Sequence, residues 1–234
     1  MVGLGTAINT AAILACGALG LLGRRAVPER FGEAAMQVIG LFTIVVGLRM
    51  LWPVEGMLTA LVSLAAGGLA GEALRIEDRL SGAGAWLVRR FGAAGDGVRI
   101  EGFLAASLLF CVGPMAILGS LADGLKGDYQ ILAVKSIMDG VAALPLAASM
   151  GGGVLLAAIP VLVYQGLMTL GAVFLEPWLR GPVQAGINLV GGFLVAAIGL
   201  TVAGIRRFRV ANLLPALVFE VVFRLGLARL GIEL

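Results

Sequence analysis

Lys135 and Asp139 stand four residues apart in an otherwise apolar stretch, with Ser136 beside the lysine. On a helix that spacing puts both charges on one face, one turn apart, so that ammonium and carboxylate can pair. A charge near the centre of a bilayer is costly, and a residue kept there at that cost is a candidate for function. Asp139 is suited to bind and release a proton or a monovalent cation, with Lys135 setting its pKa or competing as an internal cation. The competing expectation is a structural ion pair that fixes helix packing, with Lys135 close enough to the outer interface to snorkel. Glu220, with Arg224 four residues on, is a second costly carboxylate, whereas Glu72 beside Arg75 reads as an interfacial pair.

Backbone breaks and amides could complete a cavity around these charges. Gly113-Pro114 and Pro145 each free a carbonyl four residues earlier, and broken helices of secondary transporters use such carbonyls to coordinate cations near the midplane. Asn9, Thr10, Gln165, Asn188 and Asn212 add polar groups inside apolar runs, where they serve either a cavity or as interhelical hydrogen-bond glue. The substrate- or ion-binding set read from the sequence is thus Asp139, Lys135, Ser136, Gly113, Pro114, Gln165, Asn9, Asn188, Asn212 and Glu220.

Other chemistry is argued against. Histidine is absent, and Cys16 and Cys111 lie far apart in apolar runs, so no metal, cofactor or redox centre is expected. Ser136 and Lys135 adjoin in sequence and therefore diverge by about 100° on a helix, which does not make a catalytic dyad. No Gly-rich loop ending in Gly-Lys-Ser/Thr is present for ATP. The reading is a protein that is not an enzyme.

The elements that must carry these residues follow from composition. Of 234 residues, 60% are apolar and 13% charged, against about half and a quarter in soluble domains, so lipid must be most of the solvent. Mean hydropathy is +1.04. The 36 glycines fit close helix packing in membranes, and a net charge of +3 with scattered basic residues argues against nucleic acid. Apolar runs predict an all-α transmembrane bundle, a single domain over 1–234, with spans near 3–23, 34–52, 56–74, 100–122, 129–149, 153–175, 183–205 and, as the weakest, 210–229, which Pro215 and Glu220 interrupt. The count is about eight, with seven as the alternative. Gly151-Gly152-Gly153 supplies the break within the uncharged stretch 141–175. The start of the chain reads as the first span rather than a cleavable signal, because no basic residue precedes Arg24.

Arginines concentrate in the loops after spans 1, 3 and 7 (Arg24, Arg25, Arg30; Arg75, Arg79, Arg89, Arg90, Arg99; Arg206, Arg207, Arg209), which predicts those loops cytoplasmic and the N-terminus outside. Residues near 76–92 repeat apolar side chains at helical spacing, with charges between them and Trp86 among them. That pattern fits a cytoplasmic helix lying on the membrane or packed on the ends of neighbouring helices.

Gly40 and Gly47 in span 2 match Gly192 and Gly199 in span 7. Spans five apart cross in opposite senses, so spans 1–3 and 6–8 would form an inverted repeat, a recurrent transporter construction. The run from Gly102 through Cys111-Val-Gly-Pro-Met115 to Asp123-Gly124, then Ala133-Val-Lys-Ser-Ile-Met-Asp-Gly140, resembles the YqgA-like family of bacterial inner-membrane proteins, a domain of unknown function. Tyr164-Gln165-Gly166 and Val210-Ala-Asn-Leu-Leu-Pro-Ala-Leu217 are similar to it too, over almost the whole chain. The resemblance implies a polytopic bacterial inner-membrane protein and carries over neither substrate nor catalytic residues. The functional expectation is a secondary transporter or permease for a small solute or ion, coupled to H⁺ or Na⁺. The alternative is a non-transporting membrane scaffold or partner subunit, for which small-residue interfaces would also serve a homo-oligomer.

Overall fold

The computed structural model describes residues 2–23, 29–52, 56–91, 100–111, 114–175 and 181–229. Gly113 and the loop residues Arg24, Arg25, Arg99 and Arg180 lie outside them. Within them the chain is helical: α1 (Leu4–Gly23), α2 (Glu29–Met50), α3 (Met57–Leu74), α4 (Ile76–Phe91), α5 (Ile100–Cys111), α6 (Pro114–Lys126), α7 (Gln130–Met150), α8 (Gly153–Leu156), α9 (Ala158–Leu170), α10 (Ala172–Leu175), α11 (Pro182–Val202), a 3₁₀ turn (Val210–Leu213) and α12 (Pro215–Arg229).

Among the described residues, six helices can cross a membrane by length and composition: α1, α3, α7, α8 with α9, α11, and the stretch Val210–Ala228. The α5–α6 pair, bent by 58° at the expected proline break, makes a seventh when taken as one span. In α2 the apolar stretch Met36–Met50 is shorter than those six. Pro215 does not interrupt the last span. It opens α12, at the helix start where a missing N–H costs nothing.

Small residues decide which helices meet. The main partnerships are α1 with α7, α2 with α11, and α3 with α12. A Cβ at Gly20 would run into the Leu144 carbonyl, and one at Gly71 into that of Asn212, so both backbones approach as only glycine permits. Between α2 and α11 the relation is reciprocal. A Cβ on Gly192 would lie 2.8 Å from the Gly47 carbonyl oxygen, and one on Gly199 2.8 Å from that of Gly40. The glycines whose spacing matched in sequence therefore face each other, with the two helices running in opposite senses. Large apolar side chains such as Leu22, Leu69, Leu170 and Phe174 point outward, as they do when lipid is the solvent.

Two further details position the site. Gly151, at φ 81°, ends α7 in a left-handed conformation that favours glycine and reverses the chain tightly into α8 and α9. Helix α4 packs on the start of α5 and on the 3₁₀ turn, while Trp86 stays exposed.

Candidate functional site

Asp139 lies nine residues from the start of α7 and eleven from its end. At 1.5 Å per residue that is about 14 and 17 Å, the middle of a spanning helix. Its Oδ2 accepts hydrogen bonds from Lys135 Nζ and, at 2.9 Å, from Asn9 Nδ2 of α1. All three residues are buried. Lys135 does not snorkel: its ammonium turns one helical turn deeper to meet the carboxylate, which neutralises both charges where water is scarce. Ser136, also buried, donates instead to the Leu132 carbonyl at 2.6 Å and stays out of the pair. Helix α5, which ends at Cys111, packs against α7, which carries the pair, and against α9. Pro114 opens α6 directly after the break.

Gln165 on α9 is completely buried, and neither its Oε1 nor its Nε2 has a hydrogen-bond partner among the described residues. Asn9 Oδ1 is equally unpartnered, as is Asn188 Oδ1 on α11. Buried polar groups normally find partners, so these atoms mark places where a ligand or water would be held.

Glu220 and Asn212 sit elsewhere. Glu220, fully buried on α12, accepts from Ser63 Oγ at 2.7 Å, Thr59 Oγ1 at 3.0 Å and Arg224 Nε at 2.7 Å. This second i, i+4 ion pair pins α12 to α3, with Gly186 of α11 leaving room for both side chains. Asn212 is a clamp at the end of α3: its Nδ2 donates to Glu72 at 2.6 Å and its Oδ1 accepts from the Glu77 backbone N–H at 2.8 Å. Glu72 pairs with Arg209 at 3.0 Å rather than with its sequence neighbour Arg75, whose backbone caps α3 in the left-handed region.

At the same end of the bundle a cavity of about 240 Å³ lies between α4, α5, α11 and the 3₁₀ turn, with Glu77, Glu101, Thr201 and Arg207 among its polar lining and Leu108 and Met150 among its apolar lining. Arg207 and Glu101 pair at 2.9 Å. Burial pushes the Glu77 carboxyl above the usual carboxylate range, against the lowering effects of an Ala211 backbone hydrogen bond and of Arg209 and Arg207.

Residues 4–225 match the family described as a protein of unknown function, DUF554. The chain belongs to this family. It is 31% identical over 221 residues to the uncharacterized membrane protein YdfK of Bacillus subtilis, covering 91% of this chain and 92% of that one. It is also 31% identical over 218 residues to the uncharacterized protein YqgA of Escherichia coli, covering 92% and 93%. No solved structure matches it.

In this DUF554 chain one buried carboxylate escaped the sequence reading. Asp123, fully buried near the end of α6, accepts the backbone N–H of Gly3 at 3.2 Å and of Gly5 at 3.1 Å. It caps the N-terminus of α1, whose Gly-Leu-Gly start has no side chain for the purpose. The available signal was that uncapped start, together with an aspartate in the last turn of an apolar helix.

Proposed function

We propose that this protein is a secondary transporter or channel-like permease for a small solute or ion, coupled to H⁺ or Na⁺, in the bacterial inner membrane. The observation that carries the reading is the buried Lys135–Asp139 pair at mid-helix, held by Asn9, on a helix against which both halves of the bent α5–α6 pair pack. A neutralised pair at the midplane is a switchable element: when the carboxylate takes a proton or another cation, Lys135 loses its partner and the packing of α1 on α7 changes with it. The cavity lined by Leu108 supplies an approach along α5, one turn short of Cys111.

In this reading α2 and the bent α5–α6 pair both cross, giving eight spans with the N-terminus outside, and spans 1–3 and 6–8 form an inverted repeat. The opposed α2 and α11 with their facing glycine pairs support that symmetry. Lipid is the surrounding partner and the small solute or ion the cargo.

The test is flux through purified protein in liposomes, under imposed H⁺ or Na⁺ gradients, with Asp139→Asn as the variant. Gradient-dependent flux lost in a folded Asp139→Asn protein supports the proposal. Flux equal to wild type in that variant overturns the role of Asp139. A second reading, a membrane scaffold without transport that assembles as a homo-oligomer, draws support from Glu220, whose carboxylate is saturated by Thr59, Ser63 and Arg224 as a structural pin would be.

A further inference from the structure

Five oxygen atoms buried without a hydrogen-bond partner among the described residues lie on three mutually packed helices: Thr6 Oγ1 and Asn9 Oδ1 on α1, Ser120 Oγ on α6, Gln165 Oε1 and Thr169 Oγ1 on α9. Their register follows from the contacts between these helices. Helices α6 and α9 each join α7 through a tight turn and run against it, so they run in the same sense as each other. Gly124 of α6 abuts Thr169 of α9. One turn back on each helix puts Ser120 beside Gln165. On α1, Gly5 meets Asp123 of α6, which sets Thr6 and Asn9 at the depth of Ser120.

The orientation of Asn9 is forced. An ionised carboxylate can only accept, so the Asn9 amide nitrogen faces Asp139 and its oxygen is left for another partner. Gln165 and Thr169 stand one turn apart on the buried stripe of α9, at 0% and 3% exposure. Each of these oxygens forfeits hydration without compensation, a cost that folded proteins avoid unless something occupies the site.

We infer that Thr6, Asn9, Ser120, Gln165 and Thr169 form a binding site for a dehydrated alkali cation. Hard monovalent cations take neutral hydroxyl and amide oxygens, which match these donors, whereas a divalent ion would require carboxylates in contact. Asn9 links the site to Asp139, so cation binding polarises the same amide that holds the carboxylate. The inference rests on the transport reading for the cation's role, as the coupling ion, but binding is measurable without transport.

Purified protein is unfolded thermally in detergent in NaCl, LiCl, KCl or choline chloride at matched ionic strength. The midpoint is expected to rise saturably with at least one alkali cation over choline. Thr169→Val is expected to be at least as stable as wild type in choline, because it removes an orphaned hydroxyl, yet to bind the cation about tenfold more weakly, as one lost ligand implies. Gln165→Glu should tighten binding, whereas Thr43→Val on α2, whose hydroxyl already donates to the Ile39 carbonyl at 2.7 Å, should leave affinity unchanged. Identical midpoints in all four salts, or wild-type affinity in Thr169→Val, overturn the inference and leave water as the occupant. Cation binding in a protein that shows no gradient-dependent flux upholds the site and overturns the transport reading alone.

Discussion

Splitting the Lys135–Asp139 pair should cost far more than removing it whole. Lys135→Met leaves the buried Asp139 carboxylate with Asn9 as its remaining donor, and Asp139→Leu leaves the Lys135 ammonium without its counter-ion. Removing one partner of a buried pair costs about 3–5 kcal/mol, because the desolvated charge that remains is uncompensated. For a chain of this length each kcal/mol moves the unfolding midpoint by about 2–4 °C, so either single variant should lose roughly 6–20 °C. The double variant removes both charges and leaves only the Asn9 amide unpaired, a penalty of about 1–3 kcal/mol, offset by the gain from two apolar side chains. Even without that offset the loss would be about 2–12 °C, so at any given slope the double variant should melt above both singles. The assay is reversible unfolding in mixed micelles for the four proteins of the cycle, read as a coupling energy of magnitude at least about 3 kcal/mol. Additive losses, or singles that cost under about 1 kcal/mol, would refute the reasoning that the pair is buried and mutually neutralised.

Three other perturbations test the scaffold around the pair. Asp123→Ala should cost about 1–3 kcal/mol by orphaning the Gly3 and Gly5 N–H groups, with hydrogen exchange accelerated at the first turn of α1 while α12 stays protected. Gly199→Leu should open the α2–α11 seam, since its Cβ would lie 2.7 Å from the Ile44 backbone nitrogen, and a loss of about 1–3 kcal/mol or more in thermal unfolding is expected, against little change for Gly23→Ala, which meets nothing. Burial raises Glu77 above its ordinary 4.5, so between that value and the folded one the folded state holds a proton the unfolded state has released. Stability from this group should fall as pH rises through that window, and a midpoint-versus-pH scan of Glu77→Gln should lack that fall.

The helices were legible because each is a long apolar run punctuated by a recognisable break. The span read at 129–149 is α7 almost to the residue, Gly151 turns the chain where three glycines stood together, and α4 begins and ends with its amphipathic pattern. The Lys135–Asp139 contact was legible for the same reason, since a four-residue spacing is a local property of one helix. Partners on other helices were not. Nothing near Glu220 in sequence points to Thr59 and Ser63, which are far apart from it along the chain and meet it because the glycines of α3 let α12 approach closely. Asn212 is drawn to Glu72 and Glu77 by the 3₁₀ turn that precedes Pro215, a feature the apolar run conceals. Glu72 bypasses Arg75 because the helix cap at Arg75 fixes that backbone, and Arg209 reaches the carboxylate from the far end of the chain.

The proposed transport through the polar locus near Asp139 requires that locus to open to water from each side of the membrane in turn. Gln165→Cys, in a background with Cys16→Ser and Cys111→Ser, places the probe thiol on the buried stripe of α9 without touching the ion pair. Membrane-impermeant thiol reagents are then applied to sealed vesicles from one face at a time. Labelling is expected from the outer face and, in a separate experiment, from the cytoplasmic face. No labelling from either face, in a protein that retains its wild-type fold, would contradict this.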